Sequence, residues 1–317
     1  MKKLNVFIVG LALLTLIQCK KKEVETEAVK PVEAVKSSVA STPDILDEET
    51  TYAMAYFNSR NVNQRTEAKY LPCGAEIVID TLPVSVKVKN KTLRLTFDGL
   101  IECKKGASQV KKQGYVQFQL IEGNYWDEVG AVISKTYISY KETKICLDCP
   151  LKNEIAIYDG VETIKNVSGG MIEDAPIGQI LVHEIKSKNF KVTFNDASVR
   201  VQNVSELMSA KKSSANDYEF SIVGNGAYNN KTTVALWGNT DNVPYYTVYT
   251  SPKTYQTCGG NGILTSGEAF YQKGSVQVVE VYGVNKKGIA VNNCSAYGFK
   301  SSLTKANGNV ETTVVKY

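Results

Sequence analysis

Leu93-Arg94-Leu95-Thr96-Phe97-Asp98-Gly99 alternates apolar and polar side chains and then closes on a turn-forming pair. A period of two puts Leu93, Leu95 and Phe97 on one face of an extended chain and Arg94 and Thr96 on the other, which is the pattern of a half-buried strand. Just upstream, Val84, Val86 and Val88 alternate with Ser85, Lys87 and Lys89. The same period returns at Tyr115–Leu120, Phe190–Phe194, Val199–Gln202, Tyr218–Ile222, Val276–Tyr282 and Val310–Tyr317. Strands with one apolar and one polar face belong to antiparallel sheets. The pairs Asp98-Gly99, Asp159-Gly160, Asn225-Gly226, Asn261-Gly262 and Asn307-Gly308 tolerate positive φ and punctuate these runs. The clearest hairpin flanks Asn307-Gly308. Helix is expected only at Met54–Asn61 and at Val204–Lys212, the latter capped by Ser205. The expected class is all-β, a sandwich-like or large twisted antiparallel sheet with minor helix.

The amino terminus has the parts of an export signal. Lys2 and Lys3 precede the apolar run Val6–Ile17, which is too short to cross about 30 Å of hydrocarbon. Leu16-Ile17-Gln18-Cys19 resembles the lipobox of bacterial lipoproteins, which implies cleavage after residue 18 and lipidation of Cys19. Cleavage at a neighbouring site and an uncleaved anchor are the alternatives. Residues 19–51 are rich in Lys, Glu, Val, Ala, Ser and Pro, and up to Thr51 they lack aromatics, so they are expected to form a flexible tether. The remaining chain is read as two β units, 52–165 and 166–317, or as one continuous domain. The duplication rests on Tyr70-Leu71-Pro72-Cys73-Gly74 being echoed by Tyr255-Gln256-Thr257-Cys258-Gly259, each followed downstream by a second cysteine.

Seven cysteines are present, and with Cys19 assigned to the anchor an even set remains: Cys73, Cys103, Cys146, Cys149, Cys258 and Cys294. In an exported chain these are expected to form disulfides. Sequence alone does not fix the pairing, but locality favours Cys73 with Cys103, Cys146 with Cys149, and Cys258 with Cys294. A redox reading of Cys146-Leu147-Asp148-Cys149 is disfavoured by Pro150 and the strand-like surroundings, since a reactive thiolate needs a helix N-terminus or a cation. A zinc site would need more ligands than the single histidine, His183, supplies. His183, within Ile180–Ile185, is expected at a strand surface or partly buried.

One histidine weighs against most acid–base and metal chemistry. The chain carries no Gly-x-Ser-x-Gly elbow and no phosphate-binding glycine loop. Carboxylate chemistry is left with Asp127-Glu128 and Glu173-Asp174, but adjacent acids on a strand face opposite ways, and both pairs are read as solvated loop charge. No catalytic residue, cofactor or metal is therefore expected. Trp126, Trp237, Tyr245 and Tyr246, with Tyr125, Tyr249 and Tyr255, are candidates for an aromatic ligand platform, although tyrosine is also a favoured strand residue. The net charge of +5 is spread over scattered lysines, which does not suggest nucleic-acid binding.

Phe97, Gly99 and Cys103, then Gly114, Gly123 and Gly130, followed by Tyr218-x-Phe220-x-Ile222 with Gly224 and Gly226, Cys258, Gly262-Ile263, Gly267, Tyr282-Gly283 and Cys294, are similar to the pattern of β-rich surface lipoproteins of Gram-negative bacteria. The resemblance implies an all-β fold at the cell envelope, with the outer membrane as the expected location, and brings no activity with it. Three functions remain in view. The chain is expected to be a non-enzymatic binding or structural protein for glycan, protein or matrix; the alternatives are a carrier of a lipid or other apolar ligand in a curved sheet and a carboxylate-based glycan hydrolase.

Overall fold

The computed structural model describes residues 47–59, 71–78, 91–105, 108–145, 153–215, 217–258 and 261–317. The export signal, Cys19, most of the tether, the run at 84–89 and the Cys146/Cys149 motif lie outside the described residues. The rest is antiparallel sheet with one helix, as the alternation predicts. In chain order the elements are α1 (Glu48–Asn58), β1 (Ala75–Val78), β2 (Lys91–Lys105), β3 (Ser108–Glu122), β4 (Val132–Ile145), β5 (Asn153–Asn166), β6 (Ile180–Phe194), β7 (Val199–Lys212), β8 (Tyr218–Gly224), β9 (Gly226–Tyr228), β10 (Lys231–Thr240), β11 (Val243–Cys258), β12 (Asn261–Lys273), β13 (Val276–Val284), β14 (Gly298–Thr304) and β15 (Val310–Lys316).

All the strands belong to one sheet, and from β1 to β7 and from β10 to β15 each pairs with its sequence neighbour. Between β7 and β11 one lane is shared end to end. β10 pairs with Arg200–Val204 of β7, β8 pairs with Glu206–Lys212, and the small β9–β10 hairpin is the excursion between them. The β14–β15 hairpin closes around Asn307-Gly308 as expected. Asn225-Gly226, by contrast, is not the turn; Asn229 and Asn230 take positive φ instead.

Asp98-Gly99 and Asp159-Gly160 are also not hairpin turns. They lie inside long strands, as β-bulges. The register slips between Asp98 and Glu102 in β2, Gln113 and Tyr115 in β3, Tyr137 and Tyr140 in β4, Asp159 and Glu162 in β5, and Ser187 and Phe190 in β6. Neighbouring bulges touch: a Cβ on Gly114 would stand 2.5 Å from the Ser139 carbonyl oxygen, and one on Gly160 would stand 3.0 Å from the Phe190 ring. A bulge bends its strand and adds residues to one side of the ladder. Here that keeps one face inward on both arms. In β6, Leu181, His183, Ile185 and Ser187 are buried before the bulge and Phe190 and Val192 after it.

Two expectations are corrected. Val204–Lys212 is not a helix but the second half of β7, in which Arg200, Gln202, Val204, Glu206, Met208 and Ala210 all face inward; Arg200, Gln202 and Glu206 blurred the period of two because they are polar residues on the buried face. Ser205 accordingly caps nothing. The first helix begins earlier than Met54, at Glu48, inside the stretch read as tether. The Asp47 side chain accepts from Thr50 N at 2.7 Å, so Asp47 is the N-cap.

The division near residues 160–170 falls between β5 and β6, which are hydrogen-bonded along Ala156–Asn166 and His183–Phe194. Cys73 is bonded to Cys103 and Cys258 to Cys294, the pairing that locality favours. The first bond ties the approach to β1 to β2, its antiparallel partner. The second ties the end of β11 to the loop between β13 and β14. Among the described residues the first pair encloses β1 and most of β2, and the second encloses β12 and β13.

Candidate functional site

The sheet presents two chemically different regions. On the inner face, ionisable side chains are buried among the apolar ones. Lys135 on β4 is 1% exposed; its ammonium donates to the Asp47 carboxylate and, at 2.9 Å, to Thr50 Oγ1. Lys112 on β3 donates to Glu49 Oε1 at 2.7 Å, and the Tyr140 hydroxyl donates to the same oxygen at 3.2 Å. These contacts seat the first turn of α1 on the sheet, while Tyr52, Ala53, Tyr56 and Phe57 bury its apolar side. Burial opposes ionisation of Asp47, but Lys135 and the Thr50 bonds outweigh it and hold the carboxyl below its ordinary range. Burial and the neighbouring Asp47 push Glu49 up, against the pull of Lys112.

Further along the inner face, tyrosines pair with acids. The Tyr249 hydroxyl donates to Glu206 Oε1 at 2.7 Å and Tyr282 donates to Glu280. Lys253 lies over both rings, 4.4 Å from the Tyr249 centroid and 4.9 Å from that of Tyr282. Burial holds its ammonium below the usual lysine range, although Glu280 and Glu206 pull the other way. None of these residues was singled out from sequence for chemistry, Tyr249 having entered only as an aromatic. The available signal was a charged residue recurring in phase with the apolar set, as Lys135 does with Ile133 and Tyr137.

Two buried groups give the fold opposite pH responses. His183 is 1% exposed, packs edge-on against Trp126 with centroids 5.2 Å apart, and has no hydrogen-bond partner at either ring nitrogen. It is thus fully buried rather than at the strand surface. Burial lowers its pKa from 6.5 to about 4, so the unfolded chain takes up a proton in that window and the folded chain does not. Stability is therefore lost as pH falls from 6.5 to 4, by up to about 1.4 kcal/mol per unit. Glu162 is raised from 4.5 to about 8, first by burial and then by Asp47 and Glu206, against Lys135. Its contribution is full below 4.5 and is lost as pH rises to about 8. We expect His183→Leu to flatten the acid limb of a urea-unfolding series and Glu162→Gln to flatten the alkaline limb. Unchanged slopes would overturn these assignments.

The platform candidates do not come together. Trp126 and Tyr245 are buried, at 1% and 2% exposure, and Tyr245 faces inward to donate to Gln202 Oε1. Alternation along a strand separates Tyr245 from Tyr246, and Tyr249 is inward as well. Trp237 and Tyr246 are cross-strand partners on the outer face and only partly buried. There they join two aromatics not foreseen from sequence. Tyr228, carried by the β9 excursion, stacks on Trp237 at 6.4 Å and lies 6.1 Å from Tyr246, which lies 6.0 Å from Phe270. Gly226 lets this hairpin close down, since a Cβ there would stand 2.7 Å from the indole ring. Polar amides border the strip: Gln272 Oε1 accepts from the Tyr246 hydroxyl at 2.7 Å, and Asn203 Nδ2 reaches the Trp237 carbonyl oxygen at 3.4 Å.

The candidate acids build loops. With its amide oriented to put nitrogen toward the acid, Asn58 donates to the Asp127 carboxylate at 2.9 Å; Glu128 Oε2 accepts from Asn124 N at 2.8 Å, and Glu173 and Asp174 are exposed. Among the described residues no cluster of three His, Cys, Asp or Glu side chains is placed to hold a metal ion. No family model, no curated protein and no solved structure matches this chain.

Proposed function

We propose that this protein is a lipid-anchored envelope protein of a Gram-negative bacterium that acts without catalysis, binding neutral saccharide on the outer face of its sheet. The observation that carries the reading is the strip Tyr228–Trp237–Tyr246–Phe270, four partly exposed aromatic side chains in mutual contact on one face. Contiguous exposed aromatic surface marks a binding site. Rings of this kind present flat apolar faces that match the C–H faces of a pyranose, and the amides of Gln272 and Asn203 match its hydroxyls. Membrane attachment through Cys19, with the outer membrane as location, rests on the signal architecture of the first residues. A carrier would need an apolar concavity, whereas the inner face bears Lys135, Glu162, Glu206, Lys253 and Glu280. A carboxylate hydrolase would need two convergent acids, whereas the acids considered for that role are engaged in loops or point to solvent.

The test is titration with a panel of neutral oligosaccharides, read by tryptophan fluorescence. Trp126 is buried, so a ligand-dependent change reports on Trp237. Trp237→Ala is expected to weaken binding at least about tenfold, as loss of a central aromatic anchor does, with Trp237→Phe intermediate. A panel that leaves the emission unchanged, or an alanine variant that binds as well as the parent, would overturn the proposal.

A further inference from the structure

Arg200, the second residue of β7, is 1% exposed, and among the described residues it makes no ion pair. Its Nε and Nη1 are buried with no hydrogen-bond partner. The guanidinium is flanked by two rings, its carbon 5.2 Å from the centroid of Phe194 and 5.2 Å from that of Tyr245. Directly across the ladder, Arg200 pairs with Thr240, whose Oγ1 is also buried and unpartnered. An arginine does not shed its charge, and a buried cation without a counter-ion is costly. The flanking rings offset part of that cost, but ring faces do not satisfy N–H donors that point in the guanidinium plane.

We propose that Arg200 and Thr240 form the floor of a site for a small oxyanion, a carboxylate or a phosphate-type group, which enters from the end of the sheet where the β6–β7 and β10–β11 turns meet. Phe194 and Tyr245 cover the two faces of the guanidinium, so the ligand must accept in its plane, with the Thr240 hydroxyl as a further donor. Lys273 pairs across the ladder with Tyr245, close enough to Arg200 for the two charges to interact. Burial and the like charge of Arg200 hold its ammonium below the usual lysine range, in spite of Asp241 and Asp196, and an anion between the two cations would relieve that repulsion. The site faces inward and the aromatic strip outward, so either can fail without the other.

The experiment is thermal unfolding of the full folded chain with added acetate, inorganic phosphate or sulfate at constant ionic strength, with chloride as the reference. The parent is expected to gain about 3 °C at a concentration near ten times Kd, saturably, with acetate distinguishing a carboxylate site from one for phosphate or sulfate. Arg200→Gln is expected to abolish the gain. Thr240→Val, which keeps the guanidinium and its rings, should weaken the anion about tenfold and keeps the test decisive if Arg200→Gln does not fold. A parent without a saturable gain, or an equal gain in Thr240→Val and in a folded Arg200→Gln, would overturn the proposal and leave Arg200 a ring-stacked structural cation.

Discussion

Lys135→Met is expected to destabilise the fold by about 3–5 kcal/mol, the usual cost of removing one partner from a buried ionic network. Lys135 is the cation that holds the Asp47 cap and Thr50, and it is also the cross-strand neighbour of Glu162. Without it, the ionised Asp47 is left in a low-dielectric region where, among the described residues, the nearest cation is Lys112, which Glu49 already engages, beside a Glu162 that burial keeps protonated. The first turn of α1 should then release from β4, and Tyr52 and Phe57 with it. Urea unfolding of the single variant and of Asp47→Asn/Lys135→Met/Glu162→Gln measures this. The triple variant should recover most of the loss, because neutralising the whole group removes the desolvation cost together with the attraction. A single variant within about 1 kcal/mol of the parent, or a triple variant as unstable as the single one, would show that the network does not seat the helix.

Gly283→Ala should have a comparable effect for a different reason, at about 2–5 kcal/mol. Gly283 sits at the β13 bulge with φ of +71°, and a Cβ there would collide with the backbone carbonyl of Thr265. Its N–H also donates to the Tyr317 hydroxyl at 2.9 Å, so a shift of the strand would disturb the C-terminal contact. A left-handed backbone costs an alanine roughly 1–2 kcal/mol, and enforced overlap with a neighbouring strand adds about 1–3 kcal/mol. Gly308→Ala is the control. It has φ of +83° in the β14–β15 turn but nothing within 4 Å of an added Cβ, so only the conformational part, about 1–2 kcal/mol, should appear. Equal losses in the two variants would mean that close strand approach at Gly283 carries no weight.

The alternation of Leu93–Phe97 and its repeats was sufficient to define the class, because a strand with one buried face must write that face into every second residue. Locality favoured Cys73–Cys103 and Cys258–Cys294 among the possible pairings, and those two bonds are the ones formed. Glycine in Asp98-Gly99 and Asp159-Gly160 announced positive φ, but the sequence did not say whether the chain would reverse or merely bulge there. That choice depends on whether a long partner strand lies alongside, which is a tertiary fact. The same limit hid the second half of β7 and the face that its first half would bury, since Gln202 and Glu206 are held inward by the Tyr245 and Tyr249 hydroxyls of β11.

The aromatic candidates separate along the same line. Composition showed that Trp237, Tyr245 and Tyr246 were available, and adjacency on a strand already required Tyr245 and Tyr246 to face opposite ways. Tyr228 joined the outer strip through the β9 excursion that folds over the sheet, and Phe270 through the register of β12 on β11. Sequence determined the period of the strands and made disulfides between near neighbours the favoured pairing. Which polar residues the folded sheet encloses, and which rings it leaves on its surface, was decided by the pairing register of the strands, since register sets the contacts across the sheet and a single strand carries no record of its partner.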